Sequence, residues 1–270
     1  MKITCLVENT SCKGLPCEHG LSLHVRLDDG RQLLFDMGQT ELFAHNASAL
    51  GIHLEQVDLA VLSHGHYDHG GGLPTFLSLN TKAPVYVRKE AFQPHYSLRP
   101  EGKVYIGLPQ GFESHPRCHY CDDVETPEPH ILLFSGVSGS KCNPVGNRLL
   151  YGPDGLDTFL HEQHLIVTER DCSVLFAGCA HAGIVNIIEK SIALLGHPPT
   201  HVVAGMHLKK SGMPPQEEAR FISMLAEELT RYPQTTYYTL HCTGTEAFQQ
   251  LKKIMKDQLN YLACGEQLEL

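Results

Sequence analysis

Six consecutive residues, His64-Gly65-His66-Tyr67-Asp68-His69, gather three imidazoles and a carboxylate, the donor chemistry of a divalent metal site. Two histidines separated by one residue of extended chain point the same way, so His64 and His66 can share an ion. Asp68 and His69 lie just beyond, where the chain turns, and can face a second ion. Three protein ligands leave a metal position open to water or substrate. Two ions ~3.5–4 Å apart can clamp the oxygens of a hydrolytic or transfer reaction. The run follows the apolar strand Leu59–Leu62 and precedes Gly70-Gly71-Gly72, flanks that a histidine-rich surface loop does not need. The glycines are expected to keep side chains away from the metals.

Composition sets the bounds. The 270 residues suffice for a real core, and 42% hydrophobic with 19% charged residues is the balance of a globular chain rather than a disordered one. A formal charge of −9 argues against a nucleic-acid partner but leaves room for a small anionic substrate in one basic pocket. MKITCLVENT enters a strand pattern without signal-peptide features, and no apolar run reaches the ~18–20 residues of a membrane span. A cytoplasmic chain with no membrane partner is expected, and a homo-oligomer is compatible with the composition. The 10 cysteines are scattered, as suits reduced thiols, while 18 histidines are a marked excess of metal-ligand chemistry.

The elements that must position these residues are readable in outline. Ile3–Val7, Leu21–Leu27 and Gln32–Phe35 read as strands, the last two joined by the turn Asp28-Asp29-Gly30. A helix over 41–50 closes at Gly51, and Val85–Val87 is a further strand. Residues 88–150, rich in Pro, Gly and His, are expected as loops and short strands inserted over the site of a single 1–270 domain. Leu165–Thr168 and Val174–Ala177 are strands around a turn. Ile184, Ile187, Ile188, Ile192 and Leu195 mark one helix face, and Val202–Ala204 a buried strand. Pro214-Pro215 with Glu217-Glu218 opens a helix that turns Phe221, Ile222, Leu225 and Leu229 inward. Tyr237–Leu240 is a strand and Thr245–Met255 a last helix. Two blocks of strands, each followed by helices, predict two packed sheets with helices outside.

The HGHYDH run after its strand resembles the HxHxDH motif of the metallo-β-lactamase superfamily, and Leu33-Leu34-Phe35-Asp36-Met37-Gly38 resembles that superfamily's early LFDxG strand. Four further blocks resemble a subgroup around the archaeal dihydropterin–ribofuranosylaminobenzene phosphate synthase. They are Glu18-His19-Gly20-Leu21-Ser22, the run Gly178-Cys179-Ala180-His181 through Asn186, Gly205-Met206-His207-Leu208 and Leu240-His241-Cys242-Thr243-Gly244. The resemblance implies an α/β fold, a four-layer αββα sandwich of two mixed sheets. It also implies a site holding one or two ions, zinc first, with manganese or iron as alternatives.

Carried over residue by residue, it makes His64, His66, Asp68, His69 and His241 metal ligands, with Asp36 orienting a ligand histidine from behind. The third histidine of the first site is expected to be His181, ahead of His161 or His164. Backbone N–H groups around His181, before a helix, could hold an anion. Cys179 stands where the superfamily usually places an aspartate bridging both metals, and is expected as a buried thiol behind the ions. Asp68 and His207 are the expected catalytic groups, His207 as proton donor or substrate contact. Lys209 and Lys210 are candidates to bind phosphate, and His19 with Glu18 to line the rim.

These readings predict a metal-dependent hydrolase or transferase acting on a small phosphorylated or pterin-like molecule. A thioester or lactone hydrolase is the alternative within enzymes. A non-catalytic metal-binding or redox-sensing module is the alternative outside them, using Cys118, Cys121 and Cys142. No flavin-binding domain is present to support flavin chemistry.

Overall fold

Strands whose two faces are both apolar must be covered on both sides. In Gln32–Phe35, Leu33 and Phe35 oppose Leu34; in Cys172–Ala177, Val174 and Phe176 oppose Leu175 and Ala177. The computed structural model, which describes residues 1–12, 14–209 and 212–270, covers both faces with four layers. One seven-stranded mixed sheet runs, in spatial order, Gln267–Glu269, Lys2–Val7, Ser22–Arg26, Gln32–Phe35, Leu59–Val61, Val85–Val87 and Cys118–Tyr120. The other seven-stranded sheet runs Leu259–Tyr261, Thr236–Thr239, His201–Ala204, Cys172–Ala177, Gln163–Glu169, Ile131–Ser135 and Val124–Glu128. Leu33, Phe35, Leu59 and Val61 meet Leu165, Val167, Val174 and Phe176 in the core between them. Leu42–Ala49 and Leu73–Leu79 cover the first sheet, and Ile184–Leu195, Pro215–Thr230 and Thr245–Met255 the second. This is the αββα sandwich expected.

The expected helix faces are the buried ones, with small shifts. Ile184, Ile187 and Ile188 are fully covered while Ile192 and Leu195 are partly so. In Pro215–Thr230 the inward row is Ile222, Leu225, Ala226 and Leu229, with Phe221 at its margin. Residues 88–150 hold more sheet than their composition suggests. Cys118–Tyr120 closes one main sheet, and Val124–Glu128 with Ile131–Ser135 ends the other. Tyr96–Arg99 and Gly102–Tyr105 join Leu150–Gly152 and Gly155–Leu156 in a separate four-stranded sheet. Among the described residues no helix is long and apolar enough to cross a membrane.

Each main sheet has a parallel half. Gln32–Phe35, Leu59–Val61 and Val85–Val87 are parallel in one, and Cys172–Ala177, His201–Ala204 and Thr236–Thr239 in the other. Loops at the carboxyl ends of parallel strands are where open α/β sheets place ligands. Asp36 and residues 64–69 follow two such ends in the first sheet. Cys179 with His181, His207 and His241 follow three in the second.

The sandwich core supports a direct test. Phe176 is fully buried with its ring 5.8 Å from that of Phe35 across the sheets. Phe176→Ala should cost ~3–5 kcal/mol of stability. Leu156→Ala, at a side chain 60% exposed, should stay within about 0.5 kcal/mol. Urea denaturation curves measure both, and equal midpoints would contradict the packing described.

Candidate metal centre and cleft

Gln32–Phe35 ends at Asp36, whose φ of 60° turns the chain out of the strand, a conformation Asp tolerates better than most residues. The buried Asp36 accepts three hydrogen bonds: from the Ser63 N–H at 2.7 Å, the Ser63 hydroxyl at 2.7 Å and His69 Nδ1–H at 2.6 Å. With its proton given to Asp36, Ser63 Oγ can only accept from His64 Nδ1, 2.9 Å away. One carboxylate therefore sets two tautomers, leaving the Nε2 lone pairs of His64 and His69 free. Asn147 sets a third: its Oδ1 accepts from His181 Nδ1 at 3.0 Å while its Nδ2 donates to the His181 carbonyl at 2.8 Å. Asn9 repeats that clamp on His241, at 2.9 and 3.2 Å.

The freed nitrogens fall into two groups. His64, His66 and His181 cluster with ring centroids 4.5 to 5.1 Å apart, and the Nε2 atom of each is buried without a hydrogen-bond partner. Each unpartnered buried acceptor costs ~1–3 kcal/mol, so three in one cluster fit a cation. Burial first, and neighbouring imidazoles after it, hold all three rings well below the usual histidine pKa. They are neutral, the form that ligates metal.

In the second group, His69 Nε2 and His241 Nε2 face each other at 3.2 Å. Both Nδ1 atoms are donors, so a positive charge, either a proton on His69 Nε2 or a metal ion, sits between the two Nε2 atoms. Asp68 Oδ2 lies 3.3 Å from His241 Nε2 and 4.0 Å from His69 Nε2, and Cys179 Sγ lies 3.2 Å from His69 Nε2. A tetrahedron around zinc at ~2.0–2.1 Å from nitrogen has edges of about 3.3 Å, close to these separations. Burial disfavours a charged His69, yet Asp36 and Asp68 outweigh it and hold its pKa at about 9. The pocket favours positive charge.

The rival third histidines are engaged elsewhere. His161 Nδ1 accepts the Gly65 N–H at 2.9 Å, so its Nε2 carries the proton and donates to Asp157 at 3.2 Å. His95 bonds the same Asp157 oxygen at 2.9 Å. His161, Asp157 and His95 thus hold the Gly65 backbone between His64 and His66. His164 packs against Phe134 on the helix-covered side of its strand.

Backbone strain and buried carboxylates place the second-sheet ligands. Ala180, His207 and His241 all have left-handed φ, between 46° and 53°, each costing roughly 1 kcal/mol or more. Glu162 accepts the N–H groups of His181 and Ala182 at 2.7 and 2.9 Å, and burial pushes its carboxyl up to about 7. Those N–H groups are therefore occupied, and the anion site expected there does not exist. Glu8 accepts the His241 N–H at 2.9 Å and the Tyr261 hydroxyl at 2.9 Å.

Other expectations are also corrected. Gly70, Gly71 and Gly72 do not give space to metals; an added Cβ would strike Leu108, the Gln39 carbonyl and the Met37 carbonyl at 2.1 to 2.3 Å. They let the chain after His69 press against 37–39. Glu18 lines the cleft beside His19, and its carboxylate also accepts the Gln39 and Thr40 N–H groups. His19 does stand at the mouth, half-exposed, with Nε2 3.1 Å from Asp68 Oδ2. Cys118, Cys121 and Cys142 pack into three different cores and form no common site.

A cleft of about 950 Å³ opens over the second group, lined by His19, Asp68, Cys179, His207, Lys209 and Cys242. The small sheet forms its far wall with Leu98, Arg99 and Leu150, joined by Ile106 and Leu149. Lys209 is exposed at the edge, and Lys210 lies outside the described residues. Arg99, Asn9, Asn147, Glu8, Glu162 and Ser63 were not singled out in sequence. Ser63 alone carries a local signal, as the residue joining strand to motif; the others are brought in from distant segments.

Comparison with known proteins agrees with this geometry. The profile described as "Metallo-beta-lactamase superfamily" matches residues 16–202. A 7,8-dihydropterin-6-methyl-4-(beta-D-ribofuranosyl)-aminobenzene-5'-phosphate synthase of Methanocaldococcus jannaschii is 25% identical, over 98% of this chain and 95% of the relative. A solved metal-dependent hydrolase of the beta-lactamase superfamily superposes with a TM-score of 0.83 at 29% identity, covering 100% of this chain and 99% of that one. A diphosphatase from the PhnP family shares the fold at a TM-score of 0.55 and 14% identity, covering 100% and 97% of the two chains.

Because Asp36 sets the tautomers of His64 and His69, Asp36→Asn should weaken metal binding ~10–100-fold. Competition against a chromophoric chelator measures this. Unchanged affinity in a folded variant would reduce Asp36 to a turn residue.

Proposed function

The chain belongs to the metallo-beta-lactamase superfamily, and from that premise we propose that it is a metal-dependent enzyme acting on a small anionic substrate, phosphorylated or pterin-like. The observation that carries the metal is the set of three buried, unpartnered Nε2 atoms of His64, His66 and His181. These three would hold one ion, and Asp68, His69 and His241 a second. Zinc suits the nitrogen-rich first set, with manganese or iron as alternatives. Bound there, such ions acidify water and neutralise charge developing on a substrate oxygen.

The chain's own residues supply the rest. The exposed Lys209 and Arg99, both lining the cleft, give it positive charge in a molecule of net charge −9. Leu98, Ile106, Leu149 and Leu150 offer apolar surface to a flat ring. The volume of about 950 Å³ suits a nucleotide-sized molecule. Burial opposes ionisation of Asp68, but His69, His19 and His241 outweigh it and hold the carboxyl well below its usual pKa. It is therefore an acceptor, and His19, bonded to it and half open to solvent, is the residue placed to carry a proton in or out. The relative named as a pterin-related synthase supports the substrate class. Thioester or lactone hydrolysis is the second reading; the solved relative described as a metal-dependent hydrolase supports hydrolysis in general.

Elemental analysis of never-chelated protein should find at least one ion per chain. Protein with none, and unable to take up zinc or manganese, would overturn the proposal. Generic phosphodiester, thioester and lactone substrates separate the two readings. On a phosphoester, inorganic phosphate should inhibit competitively. Arg99→Ala and Lys209→Ala should each raise KM roughly tenfold, the value of one charge-assisted contact, with kcat little changed. Effects confined to kcat would place those cations in the chemistry instead.

A further inference from the structure

Beside the six-ligand centre stand two donors not used above, His207 and Cys242, together with Cys179, whose sulfur adjoins His69. Cys179 follows the strand Cys172–Ala177, His207 follows His201–Ala204 and Cys242 follows Thr236–Thr239. These strands are adjacent and parallel, so their ends hold the three side chains on one rigid edge. The ligand atoms of Cys179, His207 and Cys242 all lie within 4.8 Å of one another. All three residues line the cleft.

The surroundings are built for the sulfur of Cys242. A Cβ on Gly205 would stand 2.5 Å from Cys242 Sγ and 2.6 Å from the Gly178 carbonyl, so only glycine leaves room for this approach. Cys242 Sγ accepts the His207 N–H at 3.2 Å. The Leu208 and Lys209 N–H groups bond the Cys242 carbonyl at 3.1 and 3.0 Å, locking the two loops together. Within this cradle His207 Nδ1 is buried and has no hydrogen-bond partner. Cys179 and Cys242 are 3% and 5% exposed, and both are free thiols.

Two sulfurs and one imidazole form a soft donor set that selects thiophilic ions such as zinc, cobalt or cadmium over magnesium or calcium. We propose that Cys179, Cys242 and His207 form a further cation site for a thiophilic ion in the cleft, adjoining the two histidine groups through Cys179. Binding forms two metal–sulfur bonds and one metal–nitrogen bond, and the two thiol protons leave to solvent. Three protein ligands keep a fourth position open to the cleft. Cys179 adjoins His69 and His241 as well, so this ion neighbours the second histidine group. His207 then serves as a ligand, in place of the proton-donor or substrate-contact role expected from sequence.

Cobalt substitution tests this without an activity assay. Metal-free protein titrated with Co²⁺ should develop a near-ultraviolet sulfur-to-cobalt charge-transfer band alongside visible ligand-field absorption. Cys242→Ser should lose most of the band and one cobalt per chain while keeping the ligand-field absorption of the histidine groups. His207→Gln, at a less buried position, should also lose one cobalt, which guards against a misfolded serine variant. X-ray absorption of the unaltered cobalt protein should show sulfur neighbours at about 2.3 Å. A band and stoichiometry unchanged in Cys242→Ser, and lost only in Cys179→Ser, would confine sulfur to the second histidine group and overturn the proposal. Absence of any sulfur shell would also overturn it. Failure to bind cobalt at all would sink the metal-dependent reading itself, a separable outcome.

Discussion

The centre depends on one buried carboxylate. Asp36 joins the ends of two parallel strands by accepting the Ser63 backbone N–H, and through the same group orients His69 directly and His64 by way of the Ser63 hydroxyl. Hydrogen bonds to a charged group contribute ~1.5–3 kcal/mol each, so this one side chain both stitches the sheet edge and sets the ligand geometry. A histidine ligates only when its other nitrogen holds the proton, and Asp36 makes that choice for two rings at once. The left-handed turn at Asp36 is the strain accepted for that placement.

The second sheet solves the same problem with different parts. Its three ligand loops leave adjacent parallel strands through left-handed residues, Ala180, His207 and His241. Neutral asparagines replace the carboxylate, each gripping one histidine by ring and carbonyl together. Glu162 and Glu8 hold the backbones of the same two loops. These candidate ligand side chains are thus fixed by the protein alone, which would lower the ordering cost of binding an ion.

At the position where the superfamily usually places an aspartate between two ions, this chain has the sulfur of Cys179. Cys179 groups with His64 and His181 on one side and with His69 and His241 on the other. A second sulfur, Cys242, and a fifth imidazole, His207, stand within reach of it. The result grades from hard to soft donors across a few ångströms, with Asp68 and His19 toward the mouth and Cys242 at the floor. Such a gradient selects ions by ligand softness rather than by affinity alone.

The sequence by itself determined the layers and the run of metal-ligand residue types. Period-two and helical apolar patterns are local properties of the chain, so the strands around Leu33, Val61, Val174 and Val202 and the helices from Ile184 and Pro215 could be read directly. The HGHYDH run is equally local, since its four donors and the strand that aims them are contiguous. Tertiary structure alone separates the rival histidines, because the difference between them lies in hydrogen bonds made across the fold. Gly65 occupies the lone pair of His161, whereas Asn147 leaves that of His181 free. The same holds for the glycine run, whose space goes to neighbouring backbone, and for residues 88–150, whose short strands find partners only in distant sheets. Asn9, Glu8 and Cys242 converge with residues far from them in sequence, and no pattern along the chain encodes a distance across it.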